Sequence, residues 1–316
     1  MNTLLLLSAL TITSDLQRPT IVVVVGASGT PAYGEQFETW TERWTQIAER
    51  AKAKLIIVGQ KTASEVTDRD QLRQTLATHV PLTGEPLWLI LIGHGTYDGQ
   101  DARFNTRGPD FTAVQLGEWL QPSQRPLVVI NCTSASGPFL ARLSGPNRVI
   151  VTATRSGFEQ NFARFGDYFS RAFLEAKDDL DKNGQISVLE AYLSAAAGVR
   201  EFYAEDSRLE TEHPLLDDNG DARGTPADWY QGIRAIKQPK AGTTADGTVA
   251  NQRHLIRSSA DASLTTKERD QRNQWLAAIE ALRLQKPQLP EETYYSQLEQ
   301  YLLKLAQLYA SKPVVP

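Results

Sequence analysis

Two side chains in this sequence could exchange a proton and attack a carbonyl, and each stands at the end of an apolar run. Leu87–Ile92 (LWLILI) leads into Gly93-His94-Gly95, and residues 127–130 (LVVI) lead into Asn131-Cys132-Thr133. Cys132 is the only cysteine in 316 residues. A thiol becomes a nucleophile when a neighbouring base takes its proton, and imidazole is the side chain best suited to that task near neutral pH. Short apolar runs bounded by turn residues read as strands buried on both faces. In a parallel sheet the carboxyl ends of such strands open onto a shared crevice. The pattern therefore predicts His94 as base and Cys132 as nucleophile facing one crevice, with Gly95 letting the backbone approach a substrate closely. Ser134 and Ser136 follow the strand end and read as turn residues. The remaining histidines have other settings: His79 ends a helix, His213 adjoins an acidic turn and His254 lies in a polar stretch.

The elements that must position this pair alternate along the chain. Thr20–Val25 (TIVVVV), Lys54–Val58 (KLIIV) and Arg148–Thr152 (RVIVT) read as further strands. Helical spacing runs over 35–51, Asp68–His79 with Thr67 as N-cap, 112–120 and 136–143. Strands and helices alternating in this way predict an α/β fold: a mainly parallel sheet with helices on both faces. The loop Gly26-Ala27-Ser28-Gly29 after the first strand lacks both the dinucleotide fingerprint and the lysine of a P-loop, which argues against nucleotide binding and leaves a strand-end turn.

A helical pattern over 161–177 is followed by Asp179-Leu180-Asp181-Lys182-Asn183-Gly184-Gln185-Ile186-Ser187-Val188-Leu189-Glu190. This run matches a twelve-residue EF-hand loop. Asp179, Asp181, Asn183, Ser187 and Glu190 bring side-chain oxygens, Gln185 its carbonyl, and Gly184 the sharp turn. Ca²⁺ takes six to eight hard oxygen ligands, so the spacing predicts a calcium site, with a helix over 188–203 behind it. The cluster Asp217, Asn219, Asp221 lacks the distal glutamate of such a loop. It reads as a solvated acidic turn, with a second ion there as the alternative.

Residues 238–265 are poor in apolar side chains and read as a flexible linker. Beyond them, 266–284 and 291–309 each carry an apolar stripe and are joined by Lys286-Pro287-Gln288-Leu289-Pro290, which predicts a helical hairpin. It would dock on the core or on a protein partner. The net charge of −4 carries no basic footprint for nucleic acid. No internal run reaches the ~18–20 apolar residues needed to span a bilayer. The N-terminal Leu4-Leu5-Leu6-Leu7, followed by polar Ser14-Asp15, fits a bacterial-type secretion signal within 1–15 and hence export. The expected organisation is thus an α/β domain over 16–177, a calcium-binding segment with its acidic turn over 178–237, a linker over 238–265 and the hairpin over 266–316.

These motifs together resemble the caspase-like cysteine peptidases, the group that includes caspases, legumains and gingipains. The shared pattern is an apolar strand ending in His-Gly, then an apolar strand ending in the nucleophilic Cys; here these are LILIGHG with His94 and LVVINC with Cys132. The legumain-type C13 branch shares more. Its Gly-Ser loop, Tyr and Gln-bearing helix are similar to VVVVGASGTPAYGEQF, and its later segments to CTSASG, VIVTATRSGFEQ and FGDYFSRAF. The resemblance spans residues 20–174. It implies an endopeptidase acting on peptide or protein. Cys132 Sγ attacks the carbonyl, His94 serves as base and then acid, and the N–H groups of Gly95 and Cys132 hold the oxyanion. The chain departs from the branch at Asn131, where Ala is usual, and at Thr133, where legumains have Glu. Gly34-Glu35 replaces an Arg-His pair that helps bind an Asn side chain, so Glu35 points to a basic side chain instead. The same departures fit an alternative: a catalytically inactive caspase-like calcium-binding scaffold acting through its hairpin.

Overall fold

The computed structural model describes residues 18–60, 65–205, 207–240 and 243–310. The expected secretion signal lies outside the described residues. The chain forms two compact units. One contains the described residues up to Asp181 together with Ile186–Leu255, and the other contains Lys182–Gln185 and the described residues from Ile256 onward.

The first unit begins with β1 (Thr20–Val25), α1 (Pro31–Arg50), β2 (Lys54–Val58), α2 (Asp68–His79) and β3 (Leu87–Ile92). A small antiparallel sheet follows from β4 (Gly95–Tyr97), β5 (Ala102–Phe104) and β6 (Phe111–Thr112). Then come α3 (Ala113–Leu120), β7 (Leu127–Asn131), α4 (Gly137–Leu143), β8 (Arg148–Thr152), α5 (Phe165–Ala172) and α6 (Val188–Glu205). Strands β9 (Leu215–Asp217) and β10 (Thr225–Pro226) complete a seven-stranded sheet of order β10-β9-β8-β7-β3-β1-β2. Its five central and first-edge strands are parallel, and β9 and β10 are antiparallel additions beside β8. The fold is therefore α/β with a mainly parallel sheet and helices around it, as the alternation of elements predicts.

Both faces of the sheet are covered, which is why its central strands are apolar along nearly their whole length. Val22, Val24, Leu89, Leu91, Leu127 and Val129 share one core with Leu72 and Leu76 of α2, Leu116 and Leu120 of α3, and Phe139 and Leu143 of α4. The other face meets aromatic side chains: Trp88 of β3 lies edge-on to Phe173 at 6.0 Å, and Trp44 of α1 lies 6.4 Å from Phe169 of α5. Helix starts follow their cap residues. Thr30 accepts from the N–H of Tyr33, with Pro31 in the first turn, and Thr67 accepts from Asp70. Thr112 and Gln115 form a reciprocal capping box.

Three expectations are corrected. The 161–177 pattern is helical only over Phe165–Ala172, because the preceding backbone is drawn to a buried carboxylate described below. The acidic turn is solvated only in part, with Asn219 exposed and Asp217 buried. Asp217 is in β9, and Asp217, Asp218 and Asp246 are all buried, with Asp246 accepting from the N–H groups of Asp218 and Asn219 and from Thr225 Oγ1. The 238–265 stretch is no free linker either, since Asp246, Ala250 and Leu255 are buried in the first unit and Asp261 and Leu264 in the second. In both segments backbone N–H groups hold carboxylates that hydropathy alone assigns to solvent.

The second unit holds α7 (Ser259–Ala262), α8 (Thr266–Gln285) and α9 (Glu291–Ala310). Ion-paired Arg272 and Asp261 are both buried, and Ile279, Leu282 and Tyr294 form its apolar contact. The helical hairpin is present, and its outer side leaves Leu284, Tyr295, Leu302 and Leu303 exposed. Among the described residues no helix is long and apolar enough to cross a membrane.

The capping box gives a direct check. Replacing Thr112 with Ala removes an acceptor for the Gln115 N–H and is expected to lower stability by about 1 kcal/mol, read as a lower urea midpoint with unchanged slope.

Candidate active site

His94 leaves β3 two residues past its end and is held by the loop after β1. Its Nε2 lies 3.1 Å from the Ser28 carbonyl oxygen. A carbonyl can only accept, so Nε2 carries the proton and Nδ1 presents its lone pair. Nδ1 has no hydrogen-bond partner among the described residues. The ring stands half-buried among aromatic edges and faces: Tyr33 at 4.8 Å, Phe37 at 5.3 Å and Phe162 at 5.8 Å between centroids. The Gly26-Ala27-Ser28-Gly29 loop, excluded above as a phosphate cradle, is thus the element that orients the histidine.

Cys132 stands one residue past the end of β7. Leu91 pairs with Asn131 in the ladder, and the Cys132 N–H continues it by donating to the Leu91 carbonyl at 3.0 Å. Side chains alternate along a strand, so Cys132 points with Val128 and Ile130 toward α1 and α5. A methyl group added at Gly166 of α5 would come within 2.8 Å of Cys132 Cβ and 2.7 Å of the Trp40 ring. The thiol is 1% exposed. Burial, and secondarily the nearby Glu212 charge, push its pKa far above the usual thiol range. No hydrogen bond joins it to His94 among the described residues. Of the oxyanion pair expected from the resemblance, the Cys132 N–H is held in the ladder and the Gly95 N–H donates to Ser134 Oγ at 3.3 Å.

What does stand beside the His94-Gly95 turn is the stretch just after Cys132. Ser134 Oγ accepts from the Gly95 N–H and donates to the Gly95 carbonyl at 3.0 Å. Thr133 Oγ1 donates to Asn131 Oδ1 at 2.7 Å. The approach is close enough to require glycine. A Cβ at Gly95 would come within 2.2 Å of the Ser134 carbonyl oxygen and 2.8 Å of Thr133 Oγ1. Ala135 then takes a left-handed φ of 52°, and Ser136 binds Thr154 Oγ1 at 3.0 Å, tying the turn to the end of β8.

One residue of this region had no sequence signal. Glu212 is 1% exposed and accepts from the N–H groups of Arg164 at 2.8 Å and Phe165 at 3.0 Å. It fixes the start of α5 and the segment that lays Phe162 over His94. Burial raises its pKa to about 7, against the lowering pull of those N–H groups. His213 beside it pairs through Nδ1 with Glu159 at 2.7 Å. Glu35 is exposed on the first turns of α1.

The loop read as an EF-hand brings three of its residues together. Carboxylate oxygens of Asp179, Asp181 and Glu190 lie within 4.8 Å of one another. Glu190 is fully buried, and it accepts from the N–H groups of Leu180 and Ser187 at 2.8 Å and from Ser187 Oγ at 2.8 Å. Gly184 has φ +82°, the turn demanded at that position. Asn183 and Gln185 belong to the other compact unit, where Asn183 Oδ1 accepts from the Gln185 N–H and Gln185 Oε1 from the Ser258 N–H. The hard oxygens of Asp179, Asp181 and Glu190 suit a Ca²⁺ ion.

No protein-family profile matches the chain, and no curated protein matches it. Solved caspases are similar to it. Caspase-1 from Spodoptera frugiperda shares 8% identity at a TM-score of 0.42, over 64% of this chain and 87% of that one. The Drosophila initiator caspase Dronc shares 12% at 0.42, over 66% and 83%. Pro-sf-caspase-1 shares 9% at 0.40, over 64% and 91%. At these identities, what the chain does rests on its own residues.

Glu212 sets a pH dependence. Its folded-state pKa of about 7 lies above the ordinary 4.5, so the folded chain binds more protons than the unfolded chain between those values. The resulting stabilisation is full below pH ~4.5 and lost as pH rises through about 7. Up to about 3 kcal/mol is at stake. Glu212→Gln is expected to flatten this slope in urea titrations from pH 4.5 to 8, and an unchanged slope would assign it elsewhere.

Proposed function

We propose that this chain is a hydrolase of caspase-like kind acting on peptide or protein substrates, with His94 as general base and Ca²⁺ as a structural ion. The observation that carries the reading is the fixed tautomer of His94: Nε2–H on the Ser28 carbonyl and Nδ1 unpaired at the carboxyl end of β3. That is the arrangement an acyl-transfer base needs, with one nitrogen anchored and the other open to a nucleophile's proton. The Gly95 N–H is the donor available to a developing oxyanion once its bond to Ser134 is released. Cys132 Sγ would be the nucleophile: the Trp40 ring that borders it also meets Phe162, which lies against His94. The exposed Glu35 keeps a basic side chain next to the cleaved bond as the preference to examine first.

A second reading is favoured by the burial of Cys132. The chain would then be an inactive scaffold, binding a partner protein through the exposed Leu284, Tyr295, Leu302 and Leu303 of the hairpin.

Turnover of a pooled peptide library with Ca²⁺ present separates the two. Under the hydrolase reading the wild type cleaves, His94→Ala lowers the rate by about 10²–10⁴, and Cys132→Ala abolishes cleavage while the chain stays folded. A folded wild type that cleaves nothing, or a rate indifferent to His94→Ala, establishes the scaffold instead.

For the ion, Asp179, Asp181 and Glu190 would be ligands from side chains. Ser187 would add a hydroxyl oxygen. Calcium at a hundredfold excess over its Kd is expected to add about 2.7 kcal/mol of stability. Chelation should lower Tm correspondingly, and Glu190→Gln should remove the calcium response. An identical Tm in calcium and in EDTA would eliminate the site.

A further inference from the structure

We propose that the cavity at the amino-terminal edge of the sheet, between α3 and α4, binds a small organic phosphate. It lies at the opposite strand ends from His94 and does not depend on the hydrolase reading.

The cavity holds about 630 Å³ beside the segments that lead into β7 and β8. Three arginines line it: Arg125 before β7, Arg142 in the last turn of α4 and Arg148 at the first position of β8. Arg125 is 4% exposed. Its guanidinium donates to the Glu85 and Pro86 carbonyls and, at 3.4 Å, to Thr20 Oγ1. Arg148 donates to the Leu143 and Leu120 carbonyls at the ends of α4 and α3. Neither forms an ion pair among the described residues. A carbonyl satisfies an N–H but leaves the positive charge in place, and buried charge is ordinarily paired. Burial accordingly lowers the pKa of both guanidinium groups, with the Glu85 charge opposing it at Arg125.

Arg142 is exposed on the wall and makes no side-chain hydrogen bond or ion pair among the described residues. Its backbone is nonetheless fixed. A Cβ at Gly117 of α3 would come within 3.0 Å of the Arg142 carbonyl oxygen, so glycine lets the two helices close and hold the arginine in place. Glu118 is the carboxylate of the lining; it is exposed and pairs with none of the three arginines. Asp217 reaches Ser144 of the wall from outside the lining and is held by the Gly220 N–H. The cavity is therefore left with an excess of positive charge.

The chemistry of the occupant follows. Guanidinium groups bind phosphate oxygens through paired N–H donors. The volume falls within the ~300–1,000 Å³ of small-molecule sites, which leaves room beyond a bare ion. Val114 and Pro146 give that room an apolar wall for an organic body.

The test titrates the full chain with phenyl phosphate and adenosine monophosphate, against inorganic phosphate, phenol and adenosine, by calorimetry and Tm at low salt. At least one ester is expected to bind and raise Tm, about tenfold more tightly than inorganic phosphate, while its neutral parent does neither. Arg142→Ala, which breaks no side-chain bond of the fold, should weaken that ester about tenfold. Glu118→Gln should tighten it about threefold, a gain that misfolding cannot produce. Inorganic phosphate binding as tightly as both esters reduces the cavity to an adventitious ion only and overturns the proposal. Ester binding indifferent to Arg142→Ala overturns it, and so does a folded chain that binds neither ester.

Discussion

A strand buried on both faces sends successive side chains to opposite sides of the sheet, and nothing local can override that parity without exposing apolar surface or breaking the ladder. In β7 this rule fixes everything downstream. Val128 and Ile130 face α1 and α5, and Cys132 follows them because its N–H still bonds to Leu91. Asn131 lies on the opposite side, where its Oδ1 holds Thr133 and starts the turn. Only after the ladder ends does the chain swing toward β3, and the residue it delivers to the His94-Gly95 turn is Ser134.

The turn closes because two glycines let backbones approach where a β-carbon cannot fit. Gly95 allows the β3 and β7 loops to touch through a hydroxyl, and Gly166 allows α5 to lie directly over Cys132. The first approach opens a polar contact beside the imidazole. The second seals the thiol under an indole.

Much of this was legible in the sequence. Thr20–Val25, Lys54–Val58, Leu87–Ile92 and Arg148–Thr152 declare themselves because two-sided burial demands unbroken apolar runs, and Thr67 announces α2 because its hydroxyl is needed there. The place of His94 just past the end of β3 follows from the parallel topology. The direction of Cys132 does not, since it depends on whether the ladder runs to Asn131 or one residue further, below the resolution of any hydropathy pattern. Ser28, Ser134 and Glu212 act through backbone groups far away in the chain, and composition carries no mark of such pairings. The carboxylate of Asp217 misreads as solvated for the same reason, because its partner is the Gly220 N–H.

The small antiparallel pair at the end of the sheet has a meaning for life in a crowded solution. Strand β8 would otherwise offer a long, apolar, unpaired margin to any passing chain. Strand β9 covers it, and β10 finishes the sheet with two residues, the second of which is Pro226. A brief last strand whose final position has no N–H to donate gives a foreign strand almost nothing to pair with. That margin is built to end the sheet on this side.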